Sequence, residues 1–248
     1  MSSKKWVYGL IAGIIAIPLG QAEETQKTSV RFDPQAALTQ LYGGNTWKDP
    51  RLARHFSSPG SDVVYVSLGF DAPYLEGGHP KHLIVSLLTP EPPEQYSCHA
   101  CTPLIGAAVF TLAGAKWQIE SESTIIEDVA SGHRFSLVKT GPDRYGVLVH
   151  QLDSHQGYQL DRIDLLLAYK RIMRQALSLG FNESPSPDAC GDGAQQSVDL
   201  TFDVAGSKEF YDALAVVREN AGQCGHLKAT VQRSRYEYAA GDYRLVDH

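Results

Sequence analysis

From Asp62 onward the chain is written in short runs of β-branched and aliphatic residues separated by glycine and proline. Val63, Val64, Tyr65, Val66, Ser67 and Leu68 make one run, and Leu83, Ile84, Val85, Ser86, Leu87 and Leu88 make another. Runs of this kind predict strands. Pro73, Gly77, Gly78, His79 and Pro80 mark the loop between them, and Pro90, Pro92 and Pro93 close the second. The same signals predict three hairpins. Ala107 to Thr111 pairs with Lys116 to Glu122 around Gly114, with Phe110 and Trp117 near the turn. Phe135 to Lys139 pairs with Tyr145 to His150 around Gly141, Pro142 and Asp143. Tyr236 to Tyr238 pairs with Tyr243 to Val246 around Gly241. The spacings differ too much for a repeat.

Ahead of the strands, Asp33 is an N-cap candidate, Pro34 suits the first helical position, and Gly43 and Gly44 stop the run, so a short helix is expected over Gln35 to Leu41. Trp47, Leu52 and Phe56 then fall in a stretch that reads as a loop or a second short helix docking on a core. Two segments stay open. Leu165, Leu166, Tyr169, Ile172, Met173, Ala176 and Leu177 fit a helical stripe ending at Gly180, yet Leu160 to Tyr169 fits a buried strand as well. Phe210 to Val217 is ambiguous in the same way and leans to strand. The pattern as a whole predicts a predominantly β fold, an antiparallel meander or sandwich with a short N-terminal helix; a mixed α+β fold is the rival.

Lys4 and Lys5 followed by the uncharged apolar stretch Trp6 to Leu19, with small residues at Gly20 and Ala22, read as an export signal cleaved before Glu23. That stretch is shorter than the roughly 20 residues needed to span a bilayer as a helix. The expected organisation is a signal peptide over 1–22, a polar leader with the short helix over 23–60, and one β-rich domain over 61–248, in a periplasmic or secreted protein with no membrane span after cleavage. The formal net charge is −6, and removal of Lys4 and Lys5 makes it more negative. No basic cluster is present, which argues against nucleic acid as a partner.

Cys98, Cys101, Cys190 and Cys224 are expected to be bridged in an oxidising compartment. Four cysteines allow three connectivities, and Cys98 with Cys101 and Cys190 with Cys224 is the favoured one. Closing the second loop would contribute about 3.8 kcal/mol in the chain-entropy picture.

Tyr96 to Cys101, then Pro103, Leu104, Ile105, Gly106, Ala107, Ala108, Val109 and Phe110, with Trp117 and the run Gly141 to Gly146, resemble a family of exported bacterial proteins that carry a Cys-His-Ala-Cys motif. The resemblance covers residues 80–160. It implies secretion and strands, and no activity.

Cys98 and Cys101 are also the residues a thiol-disulfide oxidoreductase would use, Cys98 as nucleophile, Cys101 as resolver and His99 tuning the thiolate. Such a centre sits at a helix start that lowers the leading thiol's pKa, whereas Gly106 and the alternation after it read as strand. Zinc could take the four cysteines, with His99 or His226 replacing one, but Cys190 and Cys224 are not a close pair. Asp188, Cys190, Asp192, Gly193 and Asp199 fall on a calcium-loop template, with Cys and Asp at two positions that want other ligands. His79 and His82 read as loop histidines. Asp153, Ser154 and His155 are triad residue types but sequence neighbours, and triads assemble from distant segments. Asp161 and Asp164 form a spaced carboxylate pair that reads as solvated or capping. No nucleophile elbow, zincin helix or phosphate loop occurs.

Tyr236, Tyr238 and Tyr243 alternate along the last strands, and such a tyrosine face could bind a protein or a glycan. The sequence leads to an exported, disulfide-stabilised, non-enzymatic binding protein. The oxidoreductase is the alternative and a zinc module the third; no cofactor and no metal site is expected.

Overall fold

Asp33 opens the first element. Its carboxylate accepts from the backbone N–H of Gln35 at 2.9 Å and of Ala36 at 3.2 Å. Pro34 comes next, and Gly43 ends the run in the left-handed region at φ 80°. Helix α1 therefore spans Pro34–Tyr42, bounded by the residue types that favour those ends. The computed structural model describes residues 30–52, 56, 62–92, 103–128, 132–155, 158–180, 195–204, 208–223 and 226–247. The helix and all the described strands belong to one unit, Arg31–His248.

Among the described residues thirteen strands come after the helix: β1 (Thr46–Lys48), β2 (Val63–Glu76), β3 (His79–Thr89), β4 (Leu104–Ala113), β5 (Lys116–Asp128), β6 (Gly132–Gly141), β7 (Arg144–His155), β8 (Tyr158–Tyr169), β9 (Ile172–Gly180), β10 (Gln195–Asp203), β11 (Asp212–Gln223), β12 (His226–Ala239) and β13 (Asp242–Asp247). They form one open hydrogen-bonded sheet in the order β1-β2-β3-β4-β5-β9-β8-β10-β11-β12-β13, with β7 on the other edge of β8 and β6 beyond it. The predominantly β, antiparallel architecture with one short N-terminal helix is the one the sequence predicts. Two parallel links interrupt it, Glu122 with Ile172 and Gln195–Gln196 with Gln159–Leu160.

Side-chain alternation sorts the sheet into layers. Ile84 and Leu88 of β3 and Leu104, Ala108 and Phe110 of β4 face Leu38 and Tyr42 of α1. Their neighbours Leu83, Val85, Ile105, Ala107 and Val109 point the other way, onto Val147 and Val149 of β7, Leu166 of β8 and Met173 of β9. The far side of β8 and β9, through Leu165, Leu167, Ala176 and Leu179, meets Val198, Ala213, Ala215 and Tyr243 of the last four strands. Both middle layers are thus covered on both faces. A fully buried aliphatic or Phe side chain contributes about 1.5–3 kcal/mol, so these three cores hold the layers together. A bulge at Gly69 turns β2 over: Val64 and Val66 face the helix, while Phe70 meets Phe135 of β6 and Tyr74 meets Tyr145 of β7.

The segment that fits both helix and strand is a hairpin, β8 and β9, and the segment from Phe210 leads into a strand, β11. Leu165, Leu166 and Leu167 are consecutive and all buried, as expected of a strand covered on both faces. Trp47 sits on the short strand β1 and packs, with Phe56, against the core that buries Leu52. Among the described residues no helix is long and apolar enough to cross a membrane.

Candidate functional site

Hairpin turns decide where the aromatic side chains gather. Tyr74 lies just before the β2–β3 turn, Tyr145 just after the β6–β7 turn, Tyr169 just before the β8–β9 turn, and Tyr238 just before the β12–β13 turn. All four, with Phe210, line one cleft of about 320 Å³. That volume lies at the small end of the ~300–1,000 Å³ typical of small-ligand sites. The Tyr74 and Tyr145 rings are 4.9 Å apart, and Phe210 stacks on Tyr238 at 3.8 Å.

A row of alternating charges shares the lining and runs into an adjoining hollow of about 570 Å³. Lys81 Nζ donates to Glu120 Oε2 and stands 3.8 Å from Glu76 Oε2. Arg144 reaches Glu76 Oε1 at 3.3 Å and donates to Glu209 Oε1 from Nε at 3.0 Å and from Nη2. Each charge in the row Glu120, Lys81, Glu76, Arg144, Glu209 therefore has an opposite neighbour. The Lys81 and Glu76 side chains are only 10% and 16% exposed, and a charge that far from water needs such a partner. Burial of Arg144 works against its charge, and is outweighed by the hydrogen bonds and attraction of Glu209 and Glu76, which hold its pKa above the ordinary arginine value.

Gly141 brings the last acid in. A Cβ at residue 141 would lie 2.0 Å from the Glu209 carbonyl oxygen, so only glycine lets that backbone press against the β6–β7 turn. Tyr211 N–H then donates to Thr140 O at 2.7 Å, which fixes Glu209 and Phe210 over the cleft. Arg144 lies 5.8 Å from the Phe210 ring centroid.

Two of the cleft tyrosines, Tyr74 and Tyr238, are held in the protonated form. Burial, and then the negative charges of Glu76 and Glu120, raise the Tyr74 pKa well above the usual phenol value. Burial raises Tyr238 as well. The Tyr238 hydroxyl is buried and has no hydrogen-bond partner among the described residues.

Of the three C-terminal tyrosines, Tyr238 reaches the cleft. Tyr243 is buried, with its hydroxyl donating to Tyr211 O at 3.0 Å, and Tyr236 packs against the third core. His79 opens β3, exposed, while His82 is buried on the same strand, stacked on Phe32 at 3.7 Å with Nε2 3.0 Å from Asp71. Asp161 lies 3.7 Å from His150 Nε2, and Asp164 is buried. Asp199 pairs with Arg218 across β10 and β11. Asp153, Ser154 and His155 end β7.

The expectation of a disulfide-stabilised fold is corrected. Among the described residues there is no disulfide bond, and three apolar cores joined by strand ladders hold them together. Covalent staples are what small domains need when their cores are insufficient. Cys98, His99, Cys101, Cys190 and Cys224 lie outside the described residues, as do Asp188, Asp192 and Gly193. The oxidoreductase reading rests on Cys98, His99 and Cys101, and therefore on residues outside the described ones. The zinc module is corrected too: no group of three or more His, Cys, Asp or Glu among the described residues could hold a metal ion.

The sequence did carry one signal for the cleft, an aromatic residue flanking each of several turns. It did not show that those turns meet at one place. No protein-family model, curated protein or solved structure matches the chain.

Proposed function

We propose that the cleft binds a saccharide. The observation that carries this is the lining itself: five aromatic rings together with a row of paired carboxylates and cations that continues into the adjoining hollow. A pyranose needs both. Its C–H faces pack on aromatic rings, and its hydroxyls pair with carboxylates, guanidinium and phenols that are already oriented. Small-ligand sites generally combine an apolar or aromatic lining with a few fixed polar groups.

The charge balance supports the same ligand class. Each cation of the row is paired with a carboxylate, and with three carboxylates to two cations the row keeps a formal charge of −1 and offers oriented acceptors to hydroxyls. Lys170 and Arg171 at the mouth oppose a cationic ligand.

The test is a glycan array read with the parent protein and with Tyr145→Ala and Tyr169→Ala. Both rings are only partly buried, so the variants keep the cores. Retention of a subset of glycans by the parent, lost in both variants, is the expected result. No retention by the parent, or retention unaltered in the variants, would overturn the proposal.

A further inference from the structure

Two-residue hairpin turns that need left-handed backbone at both positions are normally built from Asn and Gly. Elsewhere the chain keeps glycine in such turns. The β2–β3 turn is Gly77–Gly78, at φ 57° and 78°, and the β12–β13 turn has Gly241 at φ 102° beside Ala240. The β8–β9 turn departs from this, with Lys170 at φ 48° and Arg171 at φ 68°. Two long cationic side chains thus occupy a backbone that strains them, and such strain concentrates at ligand clamps.

Both residues line the aromatic cleft and both are exposed. Lys81, Arg144 and Lys208, the other cations around the cleft and its adjoining hollow, each pair with a carboxylate. Lys170 and Arg171 have no ion-pair partner among the described residues. Lys170 Nζ lies 5.0 Å from the Tyr169 ring centroid, over a ring of the cleft. The Arg171 carbonyl accepts from Glu122 N–H at 3.2 Å, which ties the turn to β5 and fixes where the guanidinium starts.

We propose that Lys170 and Arg171 are an anion-recognising rim, so that the saccharide the cleft takes is an acidic one. This rests on the saccharide reading above. The ring sits among the tyrosines while its carboxylate, or a comparable anionic substituent, meets the ammonium and the forked guanidinium, whose geometry suits a carboxylate.

The experiment uses glycan pairs that differ in their anionic group, trigalacturonate against its methyl ester and sialyllactose against lactose. The parent is compared with the double variant K170N/R171G. Asn-Gly is the favoured pair for this turn, so the variant should melt no lower than the parent. The parent is expected to retain the acidic member of at least one pair about tenfold better than its partner, a difference of the size one charge-assisted contact supplies. The variant should bring the two members to parity. Equal retention of both members by the parent, or a preference that survives in the variant, would overturn the rim and leave the saccharide proposal standing. Retention of no glycan would overturn both.

Discussion

The Tyr42 hydroxyl lies 2.6 Å from Ser86 Oγ, joining the last turn of α1 to the middle of β3 in a buried contact. It also donates to the Thr124 carbonyl at 3.2 Å. The room for this comes from Gly106, where a Cβ would lie 2.1 Å from the Tyr42 oxygen and 2.7 Å from Thr124 O. Tyr42→Phe leaves Ser86 and Thr124 short of a partner and should cost about 1–3 kcal/mol. Gly106→Ala overpacks the same point, at about 1–3 kcal/mol. Because both changes break one contact, urea titrations of the double variant should show a loss smaller than the sum. Full additivity would mean that the helix docks by apolar contact alone.

Burial is the main cause that pushes the Tyr42 pKa up to about 12, against the lowering effect of its Ser86 hydrogen bond. Tyr74 and Tyr243 are raised too, burial again coming first. An unfolded tyrosine ionises near pH 10 while the folded one stays protonated, so above that pH the unfolded state binds fewer protons. Stability is complete below about pH 10 and falls as pH rises through the folded values, by up to about 1.4 kcal/mol per unit for each such tyrosine. Thermal melts between pH 8 and 12 check this. Tyr42→Phe should flatten the decline.

Asp164, buried on β8, accepts from Gln151, from Arg162 Nε at 3.0 Å and from Gln175 Nε2 at 2.7 Å. Asp164→Ala takes from Gln151, Arg162 and Gln175 the buried acceptor they share and should cost about 3–5 kcal/mol. Asp199 and Arg218 also pair, but their side chains are 60% and 51% exposed, and Asp199→Ala should cost no more than about 1 kcal/mol. Chemical denaturation of the two variants gives the comparison; equal losses would show that burial does not set the difference.

Gly141→Ala places a methyl against the Glu209 carbonyl, where the gap is 2.0 Å. The segment carrying Glu209 and Phe210 must retreat. Destabilisation of about 1–3 kcal/mol is expected, together with loss of glycan retention, whereas Glu209→Gln should weaken retention with little effect on the melt. A Gly141→Ala protein that melts and binds like the parent would show that this backbone contact does not shape the cleft.

Tyr238→Phe removes a hydroxyl that has no partner among the described residues. Its stability should match or exceed that of the parent by up to about 1 kcal/mol, since nothing bonded is lost and an orphan is removed. Glycan retention should stay at the parent's level, since the hydroxyl is closed to the cleft. A several-fold fall would show that it opens to the ligand.

Much of the fold is legible in the sequence because its signals are local. Asp33, Pro34 and Gly43 bound α1, and the hairpins around Gly114, around Gly141 to Asp143 and around Gly241 are β4–β5, β6–β7 and β12–β13. The β8–β9 hairpin stayed ambiguous for two reasons. Its turn, Lys170–Arg171, lacks the glycine that marks such a turn, and Leu165 to Leu167 show no alternation because both faces are buried. The cleft was legible only as scattered aromatics beside turns.

By itself, the sequence determined the ends of the helix, the marked turns and the predominance of strands, because capping groups, glycine backbone and β-branched side chains act within a few residues. Only the tertiary structure decided which sheet faces meet, that β9 lies beside β5 and β10 beside β8, and that Tyr74, Tyr145, Tyr169, Phe210 and Tyr238 share one cleft. Those outcomes depend on burying two faces of one strand against partners far along the chain. Alternation tells which side chains share a face, and only the stacked layers supply what that face packs against.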